Sequence, residues 1–344
     1  MHKNWLNQED EMSTALKRGK PIALIYLQKL LTAAQDGNIE DVELCVKNGA
    51  NLEYTNGSFV MGKDIGHGCC SGWTLEIVRY LHEQGSILET RDKYGWTPLS
   101  LAAVRGHMEI VCYLVKLDVN LETKDQRGMT PTMYAAERGH LEIVKFLDTK
   151  GSDLQAKSKV GMTPLLFAVE RGHLDIVQFL NENSCDLETR SQRGMTALMY
   201  AAERGNLEIV EYLASNGSHL EARDTWVMIY LLMGETPLII AAEGGHLEIV
   251  MSLHTNKSNL EAKTKGGMTP LMFAAEGGYL EIVHYLASHG CDLETRDLDG
   301  ETALHYAARS TQVEITKCLI DKGSSPWMKS GKVMFSVQAD APYI

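Results

Sequence analysis

Asp125-Gln126-Arg127-Gly128-Met129-Thr130-Pro131, continued by Tyr134-Ala135-Ala136, Gly139-His140 and Leu141-Glu142-Ile143-Val144 as far as Gly151, is the stretch whose reading decides the fold. Aspartate and glycine suit a tight turn, where glycine supplies a conformation that other residues resist. Thr130 then has the chemistry of a helix N-cap, and Pro131 falls at the first helical position, where its missing N–H costs nothing. Ala135 and Ala136 are small enough for neighbouring helices to approach closely, and Gly139 ends the helix. Leu141, Ile143, Val144 and Leu147 make an apolar stripe on a second short helix, which Gly151 terminates. One such unit cannot bury its apolar faces alone, whereas copies stacked side by side can.

The copies are there. The pair Leu-Glu recurs at Leu88-Glu89, Leu121-Glu122, Leu187-Glu188, Leu220-Glu221, Leu260-Glu261 and Leu293-Glu294, with Leu154-Gln155 in the series. Every step from Leu88 to Leu220 is 33 residues, the step from Leu220 to Leu260 is 40, and Leu260 to Leu293 is 33 again. A fixed period of this length predicts a repeat architecture of turn and helix pair.

The strings Thr97-Pro98-Leu99 through Gly106-His107, Thr163-Pro164-Leu165 through Gly172-His173, and Thr236-Pro237-Leu238 through Gly245-His246 resemble the ankyrin repeat. Similar units begin at Asp125, Ser191, Thr264 and Asp297, so the resemblance covers about Asp92 to Pro326. It implies an all-α repeat fold, an ankyrin-repeat solenoid of stacked helix pairs with projecting β-turn or hairpin fingers. On this reading residues 1–26 are a polar segment, 27–54 a capping helix pair and 55–91 a degenerate repeat. Residues 92–326 are seven repeats, and 327–344 form a C-terminal cap or tail.

Two places break the pattern. In the unit from Thr55 to Thr90 the second helix, Leu75 to Leu81, is intact, but Cys69 and Cys70 stand where the paired alanines belong and Asp64 stands on the threonine. This is either drift near the end of the array or a loop, Gly57 to Gly72, that contacts a partner. The longer step places seven extra residues between Asp224 and Gly234, an apolar finger insertion over 225–233 that includes Trp226 and Tyr230. Contiguous apolar surface on a projecting finger marks an interface or a packing partner within the chain.

Composition narrows the class of function. Over 344 residues the formal net charge is −12, which repels nucleic acid phosphates and anionic lipid, so neither is an expected partner. The seven cysteines are scattered apart from the adjacent Cys69 and Cys70 and have no metal-ligand spacing, which reads as reduced thiols in an intracellular, most simply cytoplasmic, protein. Met1 to Lys20 lacks a secretory pattern. Trp226 to Met233 is far shorter than the roughly 20 apolar residues that span a bilayer, so no membrane insertion is expected.

The resemblance also implies where binding occurs, namely the hairpin tips and the exposed face of the first helices, lining a concave surface. The residue before the threonine reads Trp96, Met129, Met162, Met195, Glu235, Met268 and Glu301, a soft apolar strip that adapts to varied partners. The first exposed helix position reads Val104, Glu137, Glu170, Glu203, Glu243, Glu276 and Arg309, and its neighbour Arg105, Arg138, Arg171, Arg204, Gly244, Gly277 and Ser310. A Glu–Arg ladder that loses its arginines predicts negative potential growing towards the C-terminus; the alternative is a solvated, self-neutralising face. Tyr94 and Trp96 are the aromatic anchors, whereas Tyr134, Phe167, Tyr200, Phe273 and Tyr306 read as helix packing. His107, His140, His173 and His246 lie a full repeat or more apart, too far to converge on a metal, and read as structural.

No Gly-rich phosphate loop, nucleophile elbow or His-Glu-x-x-His helix occurs, so no catalytic, cofactor or metal residues are assigned. The expectation is a monomeric, non-enzymatic scaffold or adaptor with a protein partner. The alternative is a regulatory subunit or inhibitor that covers a partner enzyme's site.

Overall fold

The computed structural model describes residues 33, 36–48, 74–225 and 234–328, and among them it contains sixteen α-helices and no strand. Backbone contacts divide the chain into two compact units, Met1–Asp153 and Leu154–Ile344. The first holds α1 (Ile39–Lys47), α2 (Leu75–Glu83), α3 (Pro98–Arg105), α4 (Met108–Lys116), α5 (Pro131–Arg138) and α6 (Leu141–Thr149). The second holds α7 (Pro164–Arg171), α8 (Leu174–Glu182), α9 (Ala197–Glu203), α10 (Leu207–Ser215) and α11 (Pro237–Glu243). It continues with α12 (Leu247–Thr255), α13 (Pro270–Gly277), α14 (Leu280–Ser288), α15 (Ala303–Arg309) and α16 (Val313–Asp321).

Each repeat begins as its sequence dictates. The Thr130 hydroxyl accepts the Met133 N–H at 3.3 Å, and Thr97, Thr163, Thr236 and Thr269 cap their helices in the same way. A cap of this kind contributes about 1 kcal/mol. The second helices that follow a histidine have no side-chain cap: His107, His140, His173 and His246 stand at the cap position without bonding the helix they precede. Their rings are thereby available for the neighbouring repeat.

Within the first unit α3 packs on α5, and α2, α4 and α6 form the second row. Within the second unit the first helices run α7, α9, α11, α13, α15, each against the next, and the second helices run α8, α10, α12, α14, α16. The paired alanines Ala135 and Ala136, and likewise Ala201 and Ala202, have no exposed surface, which is what lets adjacent first helices approach. The Ile-Val-x-x-Leu stripe of the second helices from α2 to α14 is equally buried, as in Ile143, Val144 and Leu147. This is an all-α repeat solenoid.

Candidate protein-binding face

The fingers turn on one short polar side chain, an aspartate in some repeats and a hydroxyl, as in Ser158 and Thr264, in others. Asp125 Oδ1 accepts the N–H groups of Arg127 at 2.9 Å and Met129 at 2.7 Å, and Asp92 and Asp297 fold their turns identically. Successive tips are tied by backbone bonds, Gln126 N to Tyr94 O at 2.9 Å in the first unit and Leu298 N to Gly266 O at 2.9 Å in the second. Tyr94, Val160 and Leu298 are consequently held on fixed tips with their side chains exposed.

The inserted finger has the same base. Asp224 N donates to Glu235 O at 3.1 Å, while Asp224 Oδ1 accepts from Gly234 N at 2.8 Å and Glu235 N at 3.0 Å. The extra residues are therefore grafted beyond a closure that the sister repeats share. Trp226 and Tyr230 lie outside the described residues, as do Cys69, Cys70 and Asp64.

The methionine strip is corrected by the structure. Met129, Met162, Met195 and Met268 are only 2%, 5%, 2% and 6% exposed and belong to the core. The physical reason is the turn: the Asp125 carboxylate, or the Ser158 or Thr264 hydroxyl in its place, bonds the backbone N–H of the residue before the threonine and draws the hairpin back onto the helices. An unbranched side chain there fills core space. Trp96 is half-buried in the same position, its ring 4.3 Å from that of Tyr134. The first helix position is likewise not uniformly exposed: Val104 and Glu137 are buried, Glu170 and Glu203 half-buried, and only Glu243, Glu276 and Arg309 exposed. Arg105 is half-buried, while Arg138, Arg171 and Arg204 are exposed.

In the second unit the Glu–Arg face is stitched across repeats. Arg204 pairs with Glu170 of the preceding repeat, and Arg193 Nη2 meets Glu203 Oε1 at 3.0 Å. Arg309 contacts Glu301 at 2.7 Å and Glu276 at 3.3 Å. Gly244 and Gly277 stand where earlier repeats have arginine, with the His246 and Tyr279 rings close against them. Formal charge also overstates the field here. Burial first, and then the carboxylates of Glu243 and Asp224, push Glu235 up to about 8. Burial and the Glu203 and Glu276 carboxylates raise Glu243.

Several functional residues of the framework were not assigned from sequence. The recurring Leu-Glu glutamates are clasps: Glu122 Oε1 accepts Asp153 N at 2.9 Å, Glu188 Oε1 accepts His219 N at 2.9 Å, and Glu261 Oε1 accepts Asp292 N at 2.8 Å. The spaced histidines prove structural. His140 Nε2 lies 3.3 Å from Val104 O, and Asn206, in the equivalent place, donates to Val169 O at 3.1 Å. Gly106, at φ 77°, is where the His140 ring lands, since a Cβ would stand 2.6 Å from its Cε1 atom. The aromatic column is buried as helix packing, and its tyrosine hydroxyls reach back to the turn. Among the described residues no group of three or more His, Cys, Asp or Glu side chains could hold a metal ion.

Stacked helix pairs, turns closed by one aspartate, serine or threonine side chain, and inter-repeat clasps define a repeat protein whose exposed chemistry lies on fingers and first helices. Profiles of the ankyrin repeats match residues 30–125, 67–158, 114–191, 132–224 and 227–297, and a single ankyrin repeat matches 299–330. The chain belongs to the ankyrin repeat family. It is also 33% identical over 76 residues to the potassium channel AKT1 of Arabidopsis thaliana, a stretch covering 22% of this chain and 8% of the channel. Ankyrin repeats are generally protein–protein interaction modules and typically non-catalytic. Among the described residues no helix is long and apolar enough to cross a membrane.

Proposed function

We propose that this chain is a non-enzymatic scaffold or adaptor that binds a protein partner through its finger tips and the exposed face of its first helices. The observation that carries the reading is the ion-paired face of the second unit, where Arg204 with Glu170 and Arg309 with Glu276 set charges of both signs one repeat apart. Exposed pairs of this kind add little stability, so their regular placement is better suited to complementing a second charged surface. The reading includes a chain that acts as a monomer within cells, needs no cofactor and binds no nucleic acid. The net charge of −12 supports the last point by repelling phosphates. Arg138, Arg171 and Arg204 are the residues placed at the interface, with Tyr94 as an exposed aromatic anchor.

The test is affinity capture by the full chain and by the Arg138→Glu, Arg171→Glu, Arg204→Glu variant, followed by mass spectrometry. A partner retained by the first and lost by the second, at unchanged helical content, is the expected result. Equal retention by both would move the interface away from this face.

A further inference from the structure

Glu235 stands where the fold elsewhere buries an apolar side chain, the place filled by Met129, Met162, Met195 and Met268. The last repeat also has an acid there, Glu301, and neutralises it: Arg309, eight residues on, holds it at 2.7 Å and reaches back to Glu276 of the previous repeat at 3.3 Å. Around Glu235 the corresponding charges are all negative. Glu243, eight residues on, occupies the place of Arg309, and Glu203 occupies the place of Glu276. Asp224, which closes the same hairpin, adds another carboxylate.

Two of the cations facing this cluster have other bonds. Arg193 from the preceding finger is held by Glu203 at 3.0 Å, and Arg223 donates to Gly234 O at 2.9 Å. Lys265 of the following finger brings its Cγ 3.7 Å from where a Cβ on Gly234 would lie. Yet Glu235 also supplies half of the backbone closure with Asp224, so a charge here acts directly on the base of the inserted finger.

We propose that this base is a proton-controlled joint, closed while Glu235 is protonated and loosened when Glu235 ionises against Glu243, Asp224 and Glu203. Burial and the neighbouring carboxylates raise Glu235 in the folded chain to about 8, above its ordinary value of 4.5. The sign follows from linkage: the stabilisation is fully present below the unfolded value and is lost as pH rises through about 8. No partner is involved, so the joint stands or falls independently of the proposed binding role.

The experiment is a side-chain carboxyl NMR titration of the full chain, with amide exchange of Gly234 and Glu235 corrected for intrinsic pH dependence. Glu235 should titrate near 8, and the protection of both amides should fall as pH rises from about 4.5 to about 8 and level off above that. In Glu235→Gln the protection should be flat with pH, and in Glu243→Gln the Glu235 midpoint should drop. Should Glu235→Gln fail to fold, Glu235→Met, which installs the residue of four sister repeats, gives the same comparison. A Glu235 midpoint in the ordinary carboxylate range, or protection that falls equally in wild type and variant, overturns the proposal.

Discussion

The Tyr134 hydroxyl donates to Asp125 Oδ2 at 2.6 Å, nine residues back along the chain, and Tyr306 makes the same bond to Asp297 at 2.7 Å. One side chain thus fills the core of a first helix and locks the turn that precedes it. Burial first, and then the bond to Asp125, raise the Tyr134 hydroxyl above its ordinary value, so it remains a donor at any physiological pH. Arg127 closes the group, donating to the same hydroxyl at 3.2 Å.

Tyr134→Phe should therefore cost more than a methyl-scale change. It leaves a buried carboxylate oxygen short of a donor, which costs about 1–3 kcal/mol. Tyr200→Phe, whose partner is the Ser191 hydroxyl at 3.1 Å, should cost less because no charge is stranded. Chemical denaturation of the two variants measures the difference, and equal losses would refute the argument.

Asp92 offers the converse case. Its Oδ2 atom is buried without a hydrogen-bond partner, and Leu101 occupies the place that Tyr134 and Tyr306 hold in their repeats. Leu101→Tyr should supply the missing donor and raise stability by about 1 kcal/mol. A lower denaturation midpoint would show that packing beside Trp96 opposes the added hydroxyl.

Gly106 and Gly151 separate backbone strain from crowding. Both have positive φ, 77° and 86°, but a Cβ at Gly106 meets the His140 ring whereas one at Gly151 meets nothing within 4 Å. Gly151→Ala should cost about 1 kcal/mol for conformation alone. Gly106→Ala should cost clearly more, and Gly106→Ala combined with His140→Asn should recover part of the excess. Thermal unfolding of the three variants checks the order.

Thiol reactivity should follow burial. Cys291 is pushed up to about 12, first by burial and then by the nearby Glu261 carboxylate, so almost none is thiolate at neutral pH. Timed alkylation of the native chain should label the half-buried Cys112 and Cys318 well before Cys291. Labelling of Cys291 at a comparable rate would mean that its repeat opens readily.

Much of the framework was legible because each residue type answers a local physical need. Thr130 and Pro131 announce a helix start, Ala135-Ala136 a close contact, and Ile143-Val144-Leu147 a buried stripe. The histidine ladder was legible as structural because its members are spaced a repeat or more apart. Met129 and its equivalents were misplaced because exposure there depends on how Asp125 folds the hairpin, and hydrophobicity alone does not reveal that fold. The clasping role of Glu188 was equally hidden: the Leu-Glu repeat showed the period, but its target is a backbone amide one repeat away, invisible to any local pattern. A signal did exist for the Tyr–Asp bond. In the column Asp125 and Asp297 are each followed nine residues on by tyrosine, whereas Ser158 and Thr264 are followed by Phe167 and Phe273.

The glutamate clasps bear on how the array comes apart. Glu188, Glu221 and Glu261 each grip the backbone of the following repeat, and among the described residues no clasp reaches two repeats ahead. Order is thus passed along the second unit by nearest neighbours, like coupled spins in a row. Weakening a single clasp leaves the repeats on either side intact in themselves but reduces the cooperativity between them. One sharp melting transition would broaden into two, with the boundary set by which glutamate was removed.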